Sequence, residues 1–204
     1  MLAVRYIVAG YFSGSVLYAR IFAQLFKKEN MLENSKDQNP GAANAFLYGG
    51  FWCGLWTLLF DIMKGFAPVF LYIMNSNNRY TNGYWLPLVM AAPVVGHAFP
   101  IFYLFKGGKG IATTFGCLLG LFPIWQPAVI LAVFFLFFSL ILRITPHFQR
   151  TLLTYLCALI FMFSMKQYRE IWLGFLIITG AVGIRMIKSP EKREKMKVSL
   201  LWML

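Results

Sequence analysis

The residues best suited to chemistry lie between positions 96 and 114, which read Gly96-His97-Ala98-Phe99-Pro100 and then Phe105-Lys106-Gly107-Gly108-Lys109-Gly110-Ile111-Ala112-Thr113-Thr114. Gly107, Gly108 and Gly110 remove side-chain bulk where backbone N–H groups can wrap an anion, and Lys106 and Lys109 supply charge. A helix starting near Ile111 would add unpaired donors and the positive end of its dipole. The string is not a Walker A loop. Tyr103 stands where that motif needs its first glycine, and Gly110 follows Lys109 where it needs Ser or Thr. A phosphate cradle is the natural reading, and a tight basic turn serving topology is the bland one.

A second polar segment, Asn39-Pro40-Gly41-Ala42-Ala43-Asn44, follows a charged stretch ending at Asp37. Pro-Gly fixes a turn, Gly41 permits close backbone approach, and two Asn amides can donate to a ligand. Asp61 and Lys64 have helical spacing for a same-face pair within an apolar run, either as a structural lock or as substrate contacts. His97 reads equally as a packed histidine or as part of the site. His147, beside Pro146, receives no role. Cys53, Cys117 and Cys157 show neither metal spacing nor a disulfide framework, so no metal is assigned and they read as small core residues.

The elements that must position these groups are membrane spans. Of 204 residues, 59% are hydrophobic and only 13% charged, and the mean hydropathy is +0.65. That is too little polar surface for a soluble domain. Apolar stretches cover residues 6–26, 47–74, 86–105, 111–142, 151–165 and 171–184. The fourth is too long for one crossing and breaks around Pro123 and Pro127, which gives seven spans. With the N-terminus outside and the C-terminus cytoplasmic, 13 Lys and Arg fall on inner segments and 4 on outer ones. An unsplit fourth stretch gives 7 against 10, so the seven-span reading is the more asymmetric. Topology therefore accounts for the net charge of +12 without nucleic acid. The start lacks a distinct charged region and a small-residue cleavage site, so no signal peptide is read. The tail after Lys188 is basic and is expected to lie on the anionic inner leaflet.

Together, Gly-His-Ala-Phe-Pro-Ile-Phe, Phe-Lys-Gly-Gly-Lys-Gly-Ile-Ala-Thr, Asn-Pro-Gly-Ala-Ala-Asn and Asp61-Ile-Met-Lys64-Gly65-Phe-Ala-Pro68 resemble the bacterial PlsY family of acyl-phosphate:glycerol-3-phosphate acyltransferases. The resemblance runs from about Gly14 through the last span. It implies a single all-α integral-membrane acyltransferase-like domain over residues 1–204, multi-pass in the bacterial cytoplasmic membrane. It further implies acyl transfer from acyl phosphate to glycerol 3-phosphate, giving lysophosphatidic acid for phospholipid synthesis. On this reading Lys106, Lys109, His97 and Asn44 are catalytic. Asn39, Gly41, Gly107, Gly108, Gly110, Thr113, Asp61 and Lys64 bind phosphate or substrate, and no cofactor is needed. Partners are the two substrates and membrane lipids. The His-x4-Asp pattern of acyltransferases with soluble donors is not matched, because Phe102 and Leu152 stand where Asp would be required.

The chain departs from the family pattern at several points. Asp37, Gln38, Ala43 and Leu47 stand where the family usually has Ser, Gly, Thr and Arg. Gly14-Ser15 lacks the following Pro, and the segment after the last span offers no His. An acid gained and an Arg lost oppose anion binding at that spot. A paralogue with another acyl acceptor, or a non-catalytic membrane partner, is the alternative. A small transporter rests on the Asp61–Lys64 pair alone.

Overall fold

The computed structural model describes residues 1–76, 85–164, 169–190 and 194–200. Arg79, Lys166, Lys192 and Arg193, which contribute to the charge asymmetry, lie outside the described residues. The architecture is a bundle of helices: α1 (Leu2–Ser15), α2 (Tyr18–Leu25), the short α3 (Ala42–Asn44), α4 (Phe51–Asn75), α5 (Trp85–Ala98), α6 (Ile111–Leu119), α7 (Gln126–Leu136), α8 (His147–Ser164) and α9 (Arg169–Ile187). Among the described residues, four apolar helical stretches are long enough to cross a membrane: Leu2–Leu25, Phe51–Asn75, Trp85–Tyr103 and Arg169–Ile187. Gln126–Ile141 is apolar but shorter. Many large apolar side chains on the outer faces, such as Trp52, Phe137 and Ile160, are exposed, which is the surface a lipid solvent requires.

The expected single first span is interrupted. Val16 and Leu17 are extended between α1 and α2, although neither is Gly or Pro. Lys64 explains this, because its Nζ donates to the Val16 carbonyl at 2.6 Å and satisfies a group that helix continuation would otherwise have paired. The break expected between Pro123 and Pro127 is present: α6 ends at Leu119 and α7 begins at Gln126, with Pro127 in its first turn. At 1.5 Å per residue, α6 rises only about 14 Å, half of a hydrocarbon core.

Helices meet where glycines let backbones touch, as is usual in membranes. A Cβ at Gly14 would collide with the Pro93 carbonyl, and one at Gly96 with that of Tyr11, so α1 and α5 cross with no room to spare. On the other flank, Gly65 faces the Thr113 carbonyl and Gly116 that of Ile62, locking α4 to α6. The core between them includes Tyr72, Met90, Leu118, Tyr155 and Phe175, with Tyr155 and Phe175 stacked at 5.5 Å.

The expectation of an all-α chain is corrected by a short antiparallel pair, β1 (Leu142–Thr145) with β2 (Lys197–Leu200), in register Leu142↔Leu200 and Thr145↔Lys197. The pairing ties the end of the basic tail, from Lys197, to the segment that follows α7. Both segments alternate apolar and polar side chains, and pairing satisfies backbone groups that neither could satisfy alone.

Candidate functional site

The two polar segments singled out above are stitched together, although 70 residues separate Asn39 from Lys109. The Lys109 backbone N–H donates to Asn39 Oδ1 at 2.9 Å, and Lys109 Nζ donates to Asp37 Oδ2 at 2.8 Å. Asp37 Oδ1 also accepts from Asn44 Nδ2 at 2.7 Å and from the Asn39 N–H at 3.2 Å. Asn44 Nδ2 donates to the Asn39 carbonyl at 2.9 Å, which closes the turn. Partial burial pushes the Asp37 carboxyl up. The hydrogen bonds from Lys109 and Asn44, with the Lys109 charge and the Asn39 N–H, outweigh that and hold it below the usual carboxylate range.

The glycine loop is laid against His97. The Gly108 N–H donates to the His97 carbonyl at 3.0 Å, and a Cβ at Gly107 or Gly108 would strike the His97 carbonyl or its Nε2. Gly110 sits at φ +75, which favours glycine, and α6 starts directly after it. Arg185 of α9 reaches the other side of the loop, donating from Nε to the Gly107 carbonyl at 2.8 Å. Thr114 Oγ1 donates to the Gly110 carbonyl, and Tyr155 donates to Thr114 Oγ1 at 3.0 Å, so the loop exit is fixed from α8.

Beside this loop lies a cavity of about 290 Å³. Asn39, Lys109 and His147 form its polar edge, while Leu58, Phe115 and Phe135 form its apolar wall. Gly41, Gly110, Asp61 and His97 also line it. Asp61 is buried, with Oδ1 2.8 Å from Lys64 Nζ and 3.8 Å from His97 Nδ1. Lys64 turns from the cavity toward Val16.

Of the residues expected to form the site, Asn39, Gly41, Lys109, Gly110, Asp61 and His97 therefore share one cavity. Asn44 adjoins it through Asp37. Gly107 and Gly108 supply the backbone of the loop. Thr113 is fully buried in α6, where its carbonyl faces Gly65. Lys106 lines a separate recess on the other side of the loop, together with Arg20, Arg185 and Lys188.

The sequence reading gave no site role to His147, Arg150 or Arg185. Arg150 Nη2 lies 3.0 Å from His147 Nδ1 at the head of α8, before its apolar stretch. Burial, helped by the charges of Lys109 and Arg150 and opposed by Asp37, pushes the His147 imidazole down to about 4. It is neutral near pH 7 and contributes a ring nitrogen, not a charge. The sequence signal for Arg150 and Arg185 was their place among the inner basic positions, and for His147 only its place beside Pro146.

The arrangement offers a partly apolar cavity lined by a lysine and a Gly-rich backbone, and among the described residues that line it there is no Ser, Thr or Cys. It suits transfer from a donor that is already activated to a second anionic molecule, with the chain placing the two.

A sequence model of the family described as glycerol-3-phosphate acyltransferase matches residues 4–193. A glycerol-3-phosphate acyltransferase of Pasteurella multocida (strain Pm70) is 40% identical over 118 residues, covering 58% of this chain and 56% of that protein. One of Mycoplasma pneumoniae (strain ATCC 29342 / M129 / Subtype 1) is 37% identical over 153 residues, covering 70% and 62%. The matched region thus spans little more than half the length of these relatives. The fold resembles the crystal structure of PlsY, an integral membrane glycerol 3-phosphate acyltransferase, in its glycerol 3-phosphate form. The TM-score is 0.76 at 24% identity, over 91% of this chain and 88% of that one.

Proposed function

Because the chain belongs to the glycerol-3-phosphate acyltransferase family, we propose that it transfers a fatty acyl group from acyl phosphate to the 1-hydroxyl of glycerol 3-phosphate, giving lysophosphatidic acid. The observation that carries this reading is the cavity in which Lys109 and Asn39 meet the apolar wall of Leu58, Phe115 and Phe135. Acyl phosphate is a mixed anhydride, so no serine or cysteine nucleophile is required. The acceptor hydroxyl oxygen bonds to the acyl carbon, and the carbon–oxygen bond to phosphate breaks. The phosphate leaves with the electron pair and takes up the hydroxyl proton. The residues hold the donor phosphate at Lys109 and stabilise the charge that develops on its oxygens.

The proposed setting is a single multi-pass unit over residues 1–204 in a bacterial cytoplasmic membrane, with seven spans, the N-terminus outside, and both the loop and the C-terminus inside. The short α6 and the turn after it form the fourth of these. The charge asymmetry and the placement of Lys106, Lys109, Arg150 and Arg185 at one end of their helices support this orientation.

One observation favours a second reading. Lys109 is already held by Asp37 at 2.8 Å, as it would be in a relative that keeps the fold but no longer turns over. Purified protein incubated with acyl phosphate and a panel of phosphorylated polyols separates the two. Lysophosphatidate formed from glycerol 3-phosphate supports the first reading. Acylation of another polyol alone moves the acceptor, and no acylation of any of them supports the second.

A further inference from the structure

The ribbon formed by β1 and β2 has two unlike faces. Opposite residues of an antiparallel pair point to the same side. The register Leu142↔Leu200 and Ile144↔Val198 therefore collects four apolar side chains on one face, while Arg143↔Ser199 and Thr145↔Lys197 make the other polar and basic. Ile144 is buried and anchors the apolar face to the bundle, but Val198, Leu200 and the preceding Met196 stay exposed. The run that leads into β1 is exposed too, at Leu136, Leu140 and Ile141, so the bare apolar face continues the surface turned to lipid. Of the described residues 142–145 and 194–200, Arg143, Lys195 and Lys197 are basic, and Glu194 alone is acidic. A two-stranded ribbon is marginal in water, and its open backbone edges cannot enter the hydrocarbon. The membrane boundary meets both limits: apolar side chains dip into the acyl region, while the edges and the basic face stay among headgroups.

We propose that the β1–β2 ribbon docks on the surface of the anionic inner leaflet, and that this docking holds the neighbouring edge of the cavity in place. The connection to the cavity is short. Thr145 is followed by Pro146 and His147, and His147 lines the cavity. The tail is also tied to the first turn of α8, where Gln149 Nε2 donates to the Glu194 carbonyl at 3.0 Å. A ribbon pinned to the lipid surface therefore steadies the start of α8, and with it the His147 ring and the Arg150 Nη2 beside it. One basic residue near an anionic surface favours binding about fivefold, so Arg143, Lys195 and Lys197 together favour the docked ribbon on the order of a hundredfold over a neutral surface. The docking does not depend on acyl transfer, whereas its effect on rate rests on the acyl-transfer reading above.

The test is amide hydrogen exchange of the full chain in lipid nanodiscs. Exchange at Lys197–Leu200 should slow at least tenfold when pure phosphatidylcholine discs are replaced by discs with one third phosphatidylglycerol. Salt at 0.5 M should remove most of that difference, because it shortens the reach of the charges to about 4 Å. The triple substitution Arg143→Gln, Lys195→Gln and Lys197→Gln should remove it as well. All three side chains are exposed, so the fold should tolerate the change, and an unaltered thermal midpoint verifies this. Lys28→Gln, which removes an exposed charge outside the ribbon, should keep the difference. Turnover at saturating substrates should rise at least twofold in the anionic discs for the parent, and should be equal in both discs for the triple variant. Equal exchange in the two discs, or a difference that survives the triple substitution, would overturn the docking. Exchange that slows with protein concentration instead, together with a dimeric mass, would give the ribbon to a second copy and overturn it too. Slowed exchange with turnover equal in both discs would overturn the effect on the cavity edge. Slowed exchange in a protein that forms no lysophosphatidate in either disc would support the docking and count against the reaction.

Discussion

Asp37 Oδ2 accepts a hydrogen bond from Lys109 Nζ at 2.8 Å, joining the one acid of the Asn-rich turn to the one lysine of the glycine loop that borders the cavity. The pair sets a trade between stability and charge at the site. Asp37→Asn keeps a side-chain acceptor for Asn44 but leaves Lys109 without its carboxylate. It should lower the thermal midpoint, at a cost of about 1–3 kcal/mol, and reduce the KM for acyl phosphate severalfold. Michaelis kinetics and thermal unfolding of the same preparation read both effects. Loss of turnover would instead make Asp37 part of the reacting machinery.

Gly107 and Gly180 should respond oppositely to alanine. A Cβ at Gly107 meets the His97 carbonyl, whereas one at Gly180 has nothing within 4 Å. Gly107→Ala should destabilise the protein by about 1–3 kcal/mol and depress turnover, because the loop must lift off His97. Gly180→Ala should be neutral or gain up to about 0.8 kcal/mol from helix propensity. Thermal unfolding of the two variants, measured side by side, makes the comparison.

The Asp61–Lys64 pair should behave as a unit. Lys64→Met alone leaves a buried carboxylate uncompensated and frees the Val16 carbonyl, for a loss of about 3–5 kcal/mol. Adding Asp61→Leu should recover much of it, leaving the cost of the orphaned carbonyl, about 1–3 kcal/mol. A double-mutant cycle measures this coupling. Additive losses would mean that the two charges act independently.

The pH dependence follows from Asp37 and His147. The folded carboxyl of Asp37 is depressed, so its stabilisation is fully present above the ordinary carboxylate range and is lost only as pH falls through the folded value. His147, pushed down to about 4, binds no proton between pH 5.5 and 8. The unfolded histidine does protonate in that window, so this residue lowers stability as pH falls through about 6.5. His147→Gln should remove that slope from the thermal midpoint and leave the shape of the pH–rate profile above pH 5.5 unaltered.

Local signals were readable in the sequence, and signals carried across the bundle were not. Pro123 and Pro127 broke the long apolar stretch as proline must, and the spacing of Asp61 and Lys64 put them on one helical face. The break at Val16 left no mark in its own residues, because its cause, Lys64, lies 48 residues away. Leu142 read as the end of an apolar run, since four-residue strands resemble helix ends until a partner is known. The two site segments were recognised separately. Asn39 and Lys109 are joined across the bundle, and the packing of α8 and α9 brings in His147 and Arg185, which carry no spacing signal.

The proposed reaction requires Lys109, which lines the cavity, to hold the donor phosphate. Its most direct test is the release of inorganic phosphate from acyl phosphate in the presence of glycerol 3-phosphate, compared between the purified parent protein and Lys109→Ala. Phosphate release should be matched mole for mole by lysophosphatidate in the parent, and should fall at least about a hundredfold in the variant, the scale for removing a main stabiliser of developing charge. Equal rates in the two proteins, or no release by the parent, would contradict it.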